Sequence, residues 1–141
     1  MHPGGDNSYS VTRWTAPEDG IFQISGFFSG QNPGYPTSTD DHILVNGTAS
    51  VNINIHSFNI PTNFTLGVAL STGDTVDFAV GPGGNGYAGD STALSATITS
   101  GGSVSAPVVS GGSAGAPEPG TMWLFSGVLA AGAAIRRRFT R

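Results

Sequence analysis

The chain has 141 residues, contains neither Cys nor Lys, and carries a net charge of −4. Residues 1–116 hold one Arg and eight acids, a net of −7, whereas residues 117–141 hold four Arg and one Glu, a net of +3. The lack of Cys excludes disulfides, thiolate metal sites and a Cys nucleophile. An acidic body with a single cation argues against nucleic acid as a partner, because phosphate binding needs several cations.

Short segments of alternating apolar and polar residues follow one another from Tyr9 onwards, as in half-buried β-strands. The predicted strands cover residues 9–15, 21–28, 42–45, 48–55, 63–70, about 76–80 and about 92–99. Asn46-Gly47 predicts a tight hairpin between the third and fourth of them. Seven strands at this spacing, with no amphipathic helix between them, predict a mainly β chain built as an antiparallel β-sandwich within residues 1–99.

Residues 100–116 are rich in Gly, Ser and Ala. Such a composition buries little apolar surface, so we predict a flexible linker there. The linker would separate the β-domain from a third region, residues 117–141.

The end of the chain contains a charge-free apolar run, Thr121–Ile135, followed by a basic cluster. We predict a transmembrane-type helix at about 120–136, which would span roughly 24 Å and reach the ~30 Å hydrocarbon core by snorkelling and local thinning. Its membrane-anchoring residues would be Trp123, Leu124, Phe125, Val128, Leu129 and Ile135. Its cytoplasmic cluster would be Arg136, Arg137, Arg138 and Arg141, with residues 1–116 on the far side.

Two alternatives to this interpretation are weaker. The first is a core helix of a soluble domain. It is disfavoured because the apolar run is terminal, follows the predicted linker and ends in unpaired Arg. A GPI-type signal also has an apolar tail, but that tail does not end in a basic cluster.

Three parts of this tail, in order, resemble the PEP-CTERM sorting signal of Gram-negative bacteria. They are Pro117, Glu118 and Pro119, the small-residue stretch Gly127–Ala134, and the cluster at Arg136, Arg137 and Arg138. The resemblance implies recognition by exosortase, a membrane-embedded transpeptidase-like enzyme. It also implies removal of the tail and delivery of the body to the cell envelope or an exopolysaccharide matrix.

The start of the chain departs from that family. Residues 1–7 have no basic n-region and no apolar h-region, so no signal peptide is visible. Family members normally carry one. We therefore expect that the start is missing or misassigned, or that the domain is a fragment.

The body is similar to the small Gly-rich β-sandwich ectodomains often attached to this signal, which are jelly-roll, galactose-binding-like modules. The similar stretches are Arg13–Pro17, Leu44–Gly47, Gly73–Phe78 and Val80–Thr92. Such modules have no single ligand. Trp14, Tyr35 and Tyr87 are candidate glycan-stacking residues, although aromatic residues of small sandwiches usually serve packing. If Val11 faces inward, alternation places Trp14 outward.

Asp40, Asp41, Asn85 and Asp90 are candidate Ca²⁺ ligands, because calcium prefers carboxylate and amide oxygens. Their spacing fits no EF-hand, and they would converge only if their loops share one end of the sandwich. Solvated turn residues are the preferred interpretation, so no cofactor is assigned.

The loop Gly81–Gly86 matches Gly-x-Gly-x-x-Gly, but a strand rather than a helix is predicted after it, so we attribute its glycines to the positive φ that a long hairpin loop needs. The three His residues show no zinc spacing, and no nucleophile elbow accompanies Ser, His and Asp. The sequence therefore predicts no enzyme. It predicts an exported structural or adhesive protein, or alternatively a carbohydrate-binding module of the same matrix.

Overall fold

The computed structural model describes residues 1–35 and 37–111, and no helix occurs among them. The strands are β1 (Ser10–Thr15), β2 (Gly20–Gly30), β3 (Thr39–Val45), β4 (Thr48–Ile55), β5 (Thr62–Leu70), β6 (Thr75–Gly81), β7 (Thr92–Ser100) and β8 (Ser105–Ser110). The prediction of a mainly β chain is confirmed, and β1–β7 match the seven predicted segments within a few residues. The helix predicted at about 120–136 lies outside the described residues.

The strands form two four-stranded antiparallel sheets. The first sheet has the order β1–β6–β3–β4, and the second has the order β7–β2–β5–β8. Most connections cross from one sheet to the other, whereas β3 and β4 are joined by the predicted hairpin. Asn46 and Gly47 adopt φ of 49° and 78°, the left-handed conformations that a two-residue hairpin turn needs.

The core lies between the two sheets, because each sheet turns its apolar row towards the other. The buried rows are Phe22, Ile24 and Phe28 on β2; Ile43 on β3; Val51, Ile53 and Ile55 on β4; Phe64, Leu66 and Leu70 on β5; and Val76, Phe78 and Val80 on β6. The Phe64 ring of β5 lies 5.5 Å from Phe28 of β2 in the same sheet. It lies 6.0 Å from Phe78 of β6, which belongs to the first sheet. On β2, β4, β5 and β6 the buried residues are two or four positions apart, as the alternation of a half-buried strand requires.

The sandwich has two ends that differ in the length of their connections. We call the end with the short turns at residues 16–19, 46–47 and 71–74 the turn end. We call the opposite end, with the long connections 31–38 and 82–91, the loop end. The candidate residues of these long connections therefore share one end of the fold.

The structure differs from the prediction at residues 105–110, which form β8 instead of part of a linker. β8 pairs with β5 at the edge of the second sheet, with Phe64 opposite Val109. Gly67 makes this approach possible, because a Cβ there would lie 2.1 Å from the Ser103 carbonyl oxygen. Every residue of β8 is exposed, so backbone pairing rather than burial holds the strand, and composition alone gave little indication of it.

A membrane-spanning segment was predicted beyond residue 116. Among residues 1–35 and 37–111, no helix has the length and apolar character needed to cross a bilayer. Linker residues 112–116 and the tail 117–141 lie outside the described part of the chain.

Candidate functional site

At the loop end, the connections 31–38 and 82–91 lie side by side. The backbone N–H of Ser38 donates to Asp90 Oδ1 at 3.0 Å, and its hydroxyl hydrogen-bonds the Asn85 side-chain amide at 2.6 Å. The backbone N–H of Gly83 donates to Asp40 Oδ1 at 2.8 Å. The structure thus brings the four candidate calcium residues into one neighbourhood, although they differ sharply in burial.

Asp41 and Asp90 are fully buried, so they are not the solvated turn residues that we preferred from the sequence. Asp41 lies within β3, where its backbone is opposite Ile53 of β4 and Val80 of β6. It belongs to the inward row of β3, between Thr39 and Ile43. A carboxyl group therefore stands where the core pattern calls for an apolar side chain.

Several buried oxygens of this region have no hydrogen-bond partner within the described residues. They are Asp41 Oδ1 and Oδ2, Asp90 Oδ2, Thr37 Oγ1 and Ser29 Oγ. Burial, with smaller contributions from the Asp40 and Asp90 carboxylates, raises the pKa of Asp41 to about 7. The nearby Thr39 hydroxyl and the Met1 ammonium oppose this shift without hydrogen-bonding either carboxyl oxygen. Unpartnered buried oxygens are costly, and they point to a missing partner.

Asp40 faces away from this interior and is fully partnered. It accepts hydrogen bonds from the Tyr9 hydroxyl, from the Gly83 backbone and, at 3.3 Å, from His42 Nε2. Partial burial raises the pKa of Asp40, but these hydrogen bonds outweigh it and the net shift is downwards. The hydrogen bond to Asp40 in turn raises the pKa of Tyr9 to about 12. Asp40 and the exposed Asn85 therefore stabilise the loops from outside.

Two of the three candidate glycan-stacking residues are also at the loop end. Tyr35 is 66% exposed and Tyr87 is 46% exposed, one from each long connection. A Cβ at Gly89 would lie 2.7 Å from Tyr35 Cβ, so the loops that bear the two tyrosines are in contact. The Tyr87 ring also meets His2 edge to face, with centroids 6.2 Å apart.

The orientation expected for Trp14 is wrong, because its premise about Val11 is wrong. Val11 is 53% exposed, and Trp14 packs against Phe22 with ring centroids 5.1 Å apart. Trp14 pairs with Val76 towards the turn end, away from the two tyrosines. It lines a groove of about 500 Å³ between β1 and β7, together with Thr12, Arg13, Phe78, Leu94, Ala96 and Ile98.

Three glycines of the loop between β6 and β7 adopt the backbone conformation that the sequence predicts. Gly83, Gly84 and Gly86 all have positive φ, and β7 follows the loop, as the sequence analysis proposed. The loop crosses between the sheets instead of closing a hairpin. Residues 1–35 and 37–111 contain no group of three or more His, Cys, Asp or Glu side chains that could hold a metal.

Sequence reasoning missed the buried threonine hydroxyl groups at the loop end. Thr37, Thr39 and Thr92 are each no more than 1% exposed, and Thr39 Oγ1 lies 3.4 Å from Thr92 Oγ1. We began the third strand at residue 42, whereas β3 begins at Thr39. Extending the alternation back from Ile43 through Asp41 to Thr39 would have shown that these side chains face inward.

The comparisons with known proteins bear on the tail. Residues 116–138 match the family model described as the PEP-CTERM protein-sorting motif. No curated protein and no solved structure matches the chain, so the jelly-roll resemblance of the body stays a prediction. The motif implies an exported, membrane-anchored precursor that exosortase processes. By this match, the chain is a β-sandwich protein with a PEP-CTERM protein-sorting motif at residues 116–138.

Proposed function

We propose that the β-sandwich is the exported part of a cell-surface or extracellular-matrix protein with a structural or adhesive role and no enzymatic activity. The observation on which this depends is the sorting motif at residues 116–138, downstream of a β-sandwich whose last described strand ends at Ser110. In this proposal Pro117, Glu118 and Pro119 form the segment that exosortase reads. Pro holds such a segment extended, which suits recognition in a protease-like cleft.

The charge distribution supports the same orientation. Arg136, Arg137, Arg138 and Arg141 would hold the end of the chain on the cytoplasmic side, and the apolar segment before them would anchor the precursor. Once the tail is removed, residues 1–116 carry eight acids and a single Arg. Such a body repels acidic polysaccharides and favours neutral glycans or cation-bridged contacts.

The sorting step is tested by changing Pro117, Glu118 and Pro119 together to Ala in an exosortase-positive host. The precursor should stay uncleaved and membrane-held, as read by C-terminal mass spectrometry of the exported protein. A matched control changes Gly112, Ser113 and Gly115 to Ala, just outside the motif, and should be processed normally. Wild-type exported protein that still ends at Arg141 would overturn the proposal.

A carbohydrate-binding role in the matrix is the second candidate. Tyr35 and Tyr87 favour it, because two exposed aromatic rings on touching loops can stack on sugar rings. Trp14 does not join them, since it packs against Phe22 towards the turn end.

Affinity electrophoresis of the full chain tests this role on dextran, galactomannan and alginate. Retardation by a neutral polysaccharide that is lost in Tyr35→Ala and Tyr87→Ala would support it. Phe58→Ala is the matched control, because Phe58 is 49% exposed and lies outside the two tyrosine-bearing loops. Equal mobility of wild type and both Tyr variants on every polysaccharide would exclude it.

A further inference from the structure

Five buried side chains at the loop end form what we call the buried oxygen cluster: Thr37, Thr39, Asp41, Asp90 and Thr92. Each is at most 1% exposed. Their side chains offer only carboxylate and hydroxyl oxygens, with no nitrogen or sulfur atom. The cluster is therefore a set of hard donors enclosed by protein.

The fold brings these residues together from both sheets. Thr39 and Asp41 lie on the inward row of β3 in the first sheet, and Thr37 precedes them. Asp90 and Thr92 come from the start of β7 in the second sheet, where Thr92 is opposite Gly30. A Cβ at Gly30 would lie 2.6 Å from Thr37 Oγ1, so Thr37 also reaches the second sheet.

The hydrogen bonds at the edge of the cluster leave its inner oxygens free. Asp90 Oδ1 accepts from the Ser38 backbone, but Asp90 Oδ2 has no partner among the described residues. The two carboxyl oxygens of Asp41 and the hydroxyl of Thr37 also have no hydrogen-bond partner among these residues. These four unpartnered oxygens belong to buried side chains at the same end of the sandwich, and they match the needs of a cation better than those of a core.

Residues 1–111 provide almost no positive charge to balance the two aspartates. Arg13 is the one Lys or Arg in this range, and both of its hydrogen bonds go to Asp77 at 2.7 Å. The Met1 ammonium donates to the Thr92 carbonyl at 2.6 Å and to neither carboxylate. A buried pair of carboxylates with a single ammonium nearby is costly, so a bound cation would stabilise it.

We infer that the buried oxygen cluster is a calcium site, in which Asp41 and Asp90 supply the charge and the threonine hydroxyls, backbone carbonyls and water complete the coordination. Calcium accepts six to eight oxygen ligands in irregular geometry, whereas Mg²⁺ demands a regular octahedron and Zn²⁺ favours nitrogen and sulfur. Two carboxylates are few for calcium, so the affinity should be that of an extracellular module, with a Kd of about 10⁻⁴–10⁻³ M. Export to a calcium-containing medium suits such a site.

The position of the site gives calcium a structural consequence. Asp90 belongs to the connection that bears Tyr87, and Thr37 belongs to the connection that bears Tyr35. One ion bound to both would tie the two tyrosine-bearing loops to β3. The site is independent of the glycan-binding proposal, since it requires neither ring to contact a sugar.

The test measures thermal unfolding and isothermal titration of the full-length chain in detergent, first with EDTA and then with CaCl₂ or MgCl₂. We expect one Ca²⁺ per chain and a rise in Tm at millimolar CaCl₂ that MgCl₂ does not reproduce. Asp41→Asn and Asp90→Asn should weaken calcium binding about tenfold or more. Asp41→Asn removes a buried charge, so it should fold without metal, which separates loss of binding from loss of folding.

Asp19→Asn is the matched control, because it removes the same charge from an exposed turn at the opposite end. It should leave the calcium response unchanged. The inference is overturned if the wild type shows no calcium-dependent rise in Tm, if Mg²⁺ acts equally, or if Asp41→Asn responds to calcium as Asp19→Asn does.

Discussion

The two ends of the sandwich treat the same amino acid in opposite ways. At the turn end, Asp19 accepts hydrogen bonds from the Thr72 backbone and hydroxyl at 2.7 and 2.9 Å, and Asp74 accepts from the Ser71 backbone at 2.8 Å. Asp19 is exposed, Asp74 is half-buried, and both carboxylates are partnered. At the loop end, Asp41 and Asp90 are fully buried, and three of their oxygens have no hydrogen-bond partner within residues 1–35 and 37–111. A turn aspartate thus needs no external ion, whereas this buried pair does.

Asp77 shows that burial alone does not explain the difference. It is 6% exposed, yet Arg13 pairs with both of its oxygens, and this pairing holds the pKa of Asp77 below its usual value. The protein places the one Arg of residues 1–111 on this carboxylate. Asp41, at the loop end, has no such cationic hydrogen-bond partner among the described residues.

The largest expected effect is on the pH dependence of stability in the metal-free protein. Burial raises the pKa of Asp41 from 3.8 to about 7, so between these values the folded state keeps a proton that the unfolded state has lost. Stability should then fall as pH rises from 4 to 7, by about 4 kcal/mol, and level off above. Urea unfolding in EDTA measures this decline.

Asp41→Asn should remove the decline, because its side chain cannot ionise. Asp19→Asn should keep the decline. Folding lowers the pKa of Asp19, so the stability that Asp19 contributes is present at pH values above its unfolded pKa and is lost only as pH falls. The Asp40 and Asp90 carboxylates and the Met1 ammonium also act electrostatically on Asp41, and they are unchanged in both variants. Parallel pH profiles for the wild type and Asp41→Asn would contradict the role given to Asp41.

One glycine at each end of the sandwich provides a matched pair of variants for comparing the two ends. Gly83 at the loop end and Gly73 at the turn end both have positive φ, but a Cβ at Gly83 would lie 1.5 Å from the Ser38 carbonyl oxygen, and one at Gly73 would meet nothing within 4 Å. Gly73→Ala should cost about 1 kcal/mol for the left-handed backbone. Gly83→Ala should cost about 3 kcal/mol, because the overlap adds to that strain.

Chemical denaturation of the two Gly→Ala variants checks the order. Equal losses would mean that the loop between β6 and β7 shifts freely away from Ser38. The calcium response should also weaken in Gly83→Ala alone, since the displaced Ser38 backbone holds Asp90.

The smallest expected effect concerns Arg13. Arg13→Met keeps the aliphatic stem but removes the partner of Asp77, so Tm should fall by a few degrees. The loss should be the same with and without calcium, because the pair lies outside the buried oxygen cluster. Differential scanning calorimetry in EDTA and in CaCl₂ measures both values, and a loss that calcium abolishes would contradict this separation.

Much of the fold could be predicted from local pattern. Period-two alternation identified β1–β7, and Asn46-Gly47 identified the hairpin, because both depend on neighbours close in sequence. β8 was missed, since its residues are all exposed and its pairing with β5 depends on a contact across some forty residues. An edge strand of this kind has no burial pattern to detect.

The candidate site was predicted in part. Sequence named Asp40, Asp41, Asn85 and Asp90, but it did not separate the buried pair from the outward one, and it missed the threonines. Alternation divides a strand into two faces without saying which face meets the other sheet. The same ambiguity placed Trp14 outward, although its ring lies against Phe22.

Three features could be recognised from the amino-acid sequence without the structure: the mainly β architecture, the uneven charge and the sorting motif at residues 116–138. Each depends on residue types and short spacings, which a linear chain displays directly. The three-dimensional structure was needed to show that Asp41 and Asp90 are both buried and that Arg13 hydrogen-bonds to Asp77. These facts depend on the pairing of distant strands, because burial and charge compensation exist only once the two sheets have closed on each other.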